Sequence, residues 1–314
     1  MLWSLVGRAR WALRDGEGAR AAFRSAIQLA PDDTRERYES QLRDIALTAA
    51  EDLVARSRDA VDAERLALLR SAHAWVRAAG PPDQSSEVRA LVDRISMTYL
   101  PLCESAARAA LAGGKFHEAR ELALDALEDA RLPERRRAVI AELAGEAIEA
   151  EVSELAAGAV DNMEHGREAE ALRALERGDE LARNDILDGP RRDEIARRLW
   201  WAYTRLGVLR VEAEEFEQAL DPLFRALRMD NVPPDNREET RWAMVRALDG
   251  LVKVRASSIR EVVASGHNGA AIVQAERLWT LLRSGIAAGA PEEALLRARA
   301  MSRELLEELG QRPQ

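Results

Sequence analysis

The chain has 314 residues, 47% apolar, 32% charged and only 4% aromatic, with a net charge of −9. That acidity argues against an extended phosphate-neutralising surface, so nucleic acid is not expected as a partner. The single cysteine, Cys103, excludes an internal disulfide, and the longest uncharged run, 262–275, falls short of the ~20 apolar residues of a membrane helix. A cytoplasmic location without membrane insertion is the expectation, and residues 1–8 lack the basic start and apolar length of a signal peptide.

In chain order, one phrase recurs about every fifty residues: a short polar or glycine-containing turn, an alanine-rich amphipathic stretch, then a helix stop. It runs from Arg14-Asp-Gly-Glu-Gly-Ala19 to Pro31, from Gly113-Gly-Lys-Phe-His-Glu-Ala119 to Pro133, and from Glu214-Glu-Phe-Glu-Gln-Ala219 to Pro233. Weaker copies stand at Glu164-His-Gly-Arg-Glu-Ala169, at Ser265-Gly-His-Asn-Gly-Ala-Ala271, and around 57–62 with a stop at Pro81-Pro82. The anchoring alanines are therefore expected at 19, 119, 169, 219 and 271. Self-similarity at this period predicts a stacked helical array, since one amphipathic hairpin cannot bury its apolar face alone.

The stops at Pro31, Gly80-Pro-Pro-Asp83, Pro133, Gly189-Pro190, 232–236 and Gly289-Ala-Pro291 predict an all-α fold. First helices are expected at 2–13, 34–57, 85–112, 134–162, 191–213 and 237–264. Second helices are expected at 17–30, 63–79, 116–131, 167–183, 215–230 and 270–285, and a closing helix at 291–309. The six hairpins so defined span 1–31, 32–82, 83–133, 134–189, 190–234 and 235–290, read as one domain, 1–314. Asn236 with Glu239 has the form of a capping box. No stretch alternates with the period of two that a strand needs, so no sheet is expected.

Three units resemble tetratricopeptide repeats. The first reads Trp3-x-x-Val6-Gly7, Ala19-x-x-x-Phe23-x-x-Ala26 and Pro31; the fifth carries Tyr203, Leu206-Gly207, Phe216, Ala219, Leu223 and Ala226; the third has Ala107, Phe116, Ala119 and Ala126. The resemblance implies a right-handed α-solenoid in which Gly7, Ala19 and Ala26 let two helices approach closely. It also implies that first-helix side chains line a concave groove. By position these are Arg8, Trp11, Arg108, Leu111, Trp201, Thr204, Val208 and Arg260. Arg8, Arg108 and Val208 stand where family members that clamp a peptide carboxylate carry Asn and Lys, so that mode is not implied here. The spacing of fifty departs from the family's thirty-four and is met by longer first helices.

Chemistry-bearing residues are sparse. His117, His165 and His267 sit in hairpin turns, too far apart in a stack to share a metal ion. Cys103 lies in an amphipathic helix with no local histidine and reads as a small core residue. Arg135-Arg136-Arg137, Arg191-Arg192 and Arg197-Arg198 adjoin acids and read as intrahelical pairs. No phosphate loop, nucleophile elbow or zinc-protease motif occurs. No cofactor, metal site or catalytic residue is therefore expected. In Trp200-Trp201, one ring is core and its neighbour an exposed anchor, or both wedge between hairpins. The expected function is a non-enzymatic scaffold or adaptor holding a protein or peptide partner. The alternative is a regulatory or sensor module whose curvature answers a bound ligand or partner.

Overall fold

Five of the hairpin turns are built from the same backbone hydrogen bonds. The N–H of Lys115 reaches back to Ala110 O at 2.8 Å, and Ala119 N–H to Lys115 O at 3.0 Å. The same two bonds recur as Asp15 to Arg10 with Ala19 to Asp15, Arg167 to Asn162 with Ala171 to Arg167, Glu215 to Arg210 with Ala219 to Glu215, and His267 to Val262 with Ala271 to His267. The first of the two is the Schellman closure, which needs one residue in the left-handed region, and the second opens the next helix. Gly114, Gly166 and Gly266 supply it at φ of 73°, 72° and 84°, and Glu214 does so at 61°. The repeat is thus written in the backbone. One register changes: the anchoring alanine of the fourth unit is the buried Ala171, whereas Ala169 is exposed. The left-handed glycine, rather than the surrounding acidic residues, fixes the phase of that turn.

The computed structural model describes residues 2–13, 15–78, 86–129, 132–229, 232–233 and 237–311. Among them the chain is all-helical, with thirteen α-helices, a 3-10 turn over Glu293–Leu295 and no strand. The expected stops at 80–83 and the Asn236 half of the capping box lie outside the described residues. The chain divides into two compact units, 1–144 and 145–314, with the division falling inside one helix.

The first unit contains α1 (Leu2–Ala12), α2 (Gly16–Gln28), α3 (Asp32–Ser57), α4 (Asp62–Ala78), α5 (Ser86–Ala112), α6 (Phe116–Leu127) and the start of α7 (Glu134–Glu164). Pairs α1/α2, α3/α4 and α5/α6 pack as hairpins. Small residues set the α1/α2 spacing: a Cβ on Gly7 would lie 2.7 Å from the Phe23 ring, and Ala19 and Phe23 are fully buried. Asp15 caps α2 by accepting from Gly18 N–H at 2.9 Å. Arg137, in the first turn of α7, donates to the carbonyls of Leu127 and Asp129, each at 2.8 Å, satisfying acceptors that the end of α6 leaves free.

The second unit holds the rest of α7, α8 (Glu168–Ala182), α9 (Gly189–Glu212), α10 (Phe216–Leu227), α11 (Arg237–Ala264), α12 (Asn268–Ala287) and α13 (Leu296–Glu308). Asp188 caps α9 by accepting from Arg191 N–H at 2.9 Å, with Pro190 in its first turn. A Cβ on Gly207 would collide with Leu223, the counterpart of the Gly7–Phe23 approach. One hydrophobic cluster joins α7, α8 and α9 around Leu175, Ile195, Leu199 and Leu206; another joins α10 to α13 around Leu223, Leu248, Leu282 and Leu305. Arg237 caps the α10 end through the carbonyls of Met229 and Val232, as Arg137 does one hundred residues earlier.

Candidate functional site

Helix α9 shows how two adjacent tryptophans take different roles. Trp200 is buried, and its indole N–H donates to Thr240 Oγ1 of α11 at 3.0 Å. The Thr204 and Thr240 hydroxyls lie 2.7 Å apart in the same buried node. One turn along, Tyr203 O–H donates to Asp179 Oδ2 of α8 at 2.6 Å and accepts from Arg225 of α10 at 3.3 Å. Burial raises the Tyr203 phenol above its ordinary range, and the Asp179 bond adds to this. Trp200 and Tyr203 therefore lock α9 to three neighbouring helices. Trp201, one residue round from Trp200, turns to solvent and is 48% exposed.

On α11, Trp242 is also 48% exposed. The apolar stripe of α11 runs through Ala243, Met244, Ala247, Leu248 and Leu251, all buried, and Trp242 falls outside it. Sequence reasoning named only Arg260 on this helix. The signal for Trp242 was there, as a large aromatic out of phase with its own buried face.

The other expected groove residues separate. Thr204 and Val208 are buried in the packing of α9 and cannot face a partner, a correction to the positional carry-over. That carry-over assumed equal helix rotation, whereas the Thr204–Thr240 bond turns this face of α9 inward. In the first unit Arg8 is exposed, and Trp11 is half-buried with its ring edge-on to Trp75 at 5.1 Å. Arg108 is exposed and pairs with Glu104 at 3.2 Å, and Leu111 is half-buried. Arg260 is exposed, 3.8 Å from Glu308. Arg197 and Arg198 both bond Glu194, the intrahelical pairing their spacing predicted.

A polar node in the first unit escaped sequence reasoning. Ser96 Oγ donates to Asp129 Oδ2 at 2.6 Å, and His73 Nε2 lies 3.2 Å from the same oxygen, all three side chains buried. Asp129 stands between the other two, so histidine is not placed to take the serine proton, as a nucleophile requires. These residues are far apart in sequence, and no local motif marks them. Beside them Asp125 accepts from Arg70 at 3.1 Å, from Arg77 at 3.2 Å and from Tyr99 O–H. Burial pushes the neighbouring Cys103 thiol up to about 12.

The turn histidines stay local: His117 meets Arg120, His165 meets the Asp161 carbonyl, and His267 meets Ser265. Among the described residues no group of three His, Cys, Asp or Glu is placed to hold a metal ion. No described helix is long and apolar enough to cross a membrane.

No family model matches the chain, and no curated protein matches it. Among solved structures it is similar to a chain described as a circular tandem repeat protein with novel repeat topology and enhanced subunit contact surfaces. The identity is 16%, over 98% of this chain and 71% of that one, at a TM-score of 0.28. The description of this chain as a helical repeat rests on its own recurrent turns.

Proposed function

We propose that this chain is a non-enzymatic scaffold or adaptor that binds a partner protein through outward faces of its first helices, with Trp201 and Trp242 as anchors. The carrying observation is that both rings are half exposed on helices whose neighbouring residues are fixed by packing. A rigidly based tryptophan gains much on burial and loses little side-chain freedom, which is why such residues dominate interface energetics. The buried bonds of Trp200 and Thr204 to Thr240 and of Tyr203 to Asp179 support the same reading, because they tie α9 to its neighbours. The finer description belongs to this proposal too: tetratricopeptide-like hairpins, six in number, stacked as a right-handed solenoid, in a cytoplasmic protein.

The test is affinity capture from source lysate with wild type and a Trp201→Ala/Trp242→Ala variant, after circular dichroism shows that both are folded. A partner retained by wild type and lost by the variant supports the proposal. Equal retention removes these faces from the interface, and an enzymatic activity that survives in the variant overturns the scaffold reading.

A further inference from the structure

Helices α10, α11 and α12 of the second unit enclose a cavity of about 210 Å³. Its floor is Leu251 of α11 and Leu278 of α12, both buried, with Leu281 half-buried beside them. Its polar rim is Glu217 of α10, Arg255 of α11 and Arg277 of α12. The two guanidiniums share one carboxylate: Arg255 donates to Oε2 of Glu217, and Arg277 donates to Oε1 at 2.8 Å. Each uses Nη2 alone for this bond, so Nε and Nη1 of both have no protein partner among the described residues. Two positive groups and one negative leave the rim with a positive charge in excess. Gln274 of α12 lines the same cavity, and its Oε1 is buried with no hydrogen-bond partner. A desolvated acceptor without a donor is unfavourable, and the terminal torsion of glutamine is soft enough to swing it toward one.

Each of these groups selects part of a ligand. Guanidinium donors left over from Glu217 take a second carboxylate. The Glu217 carboxylate has about four lone-pair sites, of which the arginines engage two, and with Gln274 Oε1 it offers acceptors to an ammonium group. The leucine floor takes an aliphatic side chain. At ~30 Å³ per water the cavity holds the equivalent of about seven waters, the bulk of a small amino acid rather than of a nucleotide. We propose that this cavity binds a free aliphatic α-amino acid of leucine's size. Its carboxylate lies on Arg255 and Arg277, its ammonium on Glu217 and Gln274, and its side chain on Leu251 and Leu278. A simple anion leaves the Glu217 and Gln274 acceptors unanswered, and an amine leaves the arginines so. The site uses no residue of the Trp201 and Trp242 faces and stands or falls independently of them.

The experiment is calorimetric titration of the full chain with L-leucine, isocaproate and isoamylamine. Isocaproate is leucine without its ammonium, and isoamylamine is leucine without its carboxylate. Leucine should bind, and each analogue should bind roughly tenfold more weakly or worse. Arg277→Gln, a change at an exposed position, and Gln274→Leu should each weaken leucine roughly tenfold, with circular dichroism showing the fold unchanged. No leucine binding at millimolar concentration, isocaproate binding as tightly as leucine, or an affinity indifferent to either variant overturns the proposal.

Discussion

Replacing Glu214 by glycine should stabilise the second unit. Among the described residues, four equivalent turns place a residue in the left-handed region, and glycine fills three of them, while Glu214 adopts φ of 61°. The Glu214 side chain is exposed. An L-residue in this region costs roughly 1–2 kcal/mol, and glycine gives back roughly 0.5–1 kcal/mol through the extra freedom of the unfolded chain. The net gain is about 0.5–1 kcal/mol, which for a unit of this size raises Tm by about 1–4 °C. Differential scanning calorimetry of Glu214→Gly measures it. Glu214→Ala separates the backbone term from the charge, because alanine keeps the strain and loses the carboxylate, so its Tm should stay near wild type. The reverse change, Gly166→Glu, should lower Tm by a similar amount. A Glu214→Gly Tm equal to or below wild type would refute the reasoning.

Other outcomes follow from the same geometry. Gly207→Ala should cost about 1–3 kcal/mol, because its Cβ collides with Leu223. In contrast Gly158→Ala, with nothing near its Cβ in the middle of α7, should gain about 0.5–1 kcal/mol; denaturant melts of the two should move in opposite directions. Cys103 is fully buried with its thiol raised to about 12, so a thiol reagent at pH 8 should label it only once the first unit is unfolded. Labelling of the native chain within minutes would contradict this. Hydrogen bonding from Arg255 holds the Glu217 carboxyl below its usual range, with Arg277 also donating to it at 2.8 Å. Its folded value lies below the unfolded one, about 4.3. Its stabilisation is therefore complete above that pH and lost as the pH falls through the folded value. Glu217→Gln should flatten the dependence of Tm on pH in that acidic window, and an unchanged slope would sink the assignment.

Much of the fold was legible because its punctuation is local. Turn glycines and proline stops placed the helix ends within a few residues, and Gly7 and Gly207 marked the close approaches. The anchor of the fourth unit slipped from Ala171 to Ala169 because the acidic residues near the turn matched other copies, whereas the backbone is phased by Gly166. The site was less legible. Which side of α9 faces solvent depends on the Trp200 and Thr204 bonds to Thr240, forty and thirty-six residues away, and no local spacing encodes them. The Ser96–Asp129–His73 node was invisible for the same reason. Trp242 was legible in principle, since helical phase alone sets it off its own stripe.

The central claim is that a partner sits on Trp201 and Trp242. A photo-crosslinking residue placed at 201, at 242, or at the exposed Glu170 position of a second helix tests it directly in source cells. The account predicts one shared partner adduct at 201 and 242 and none at 170. Adducts at 170 alone, or none at either tryptophan position, would contradict it.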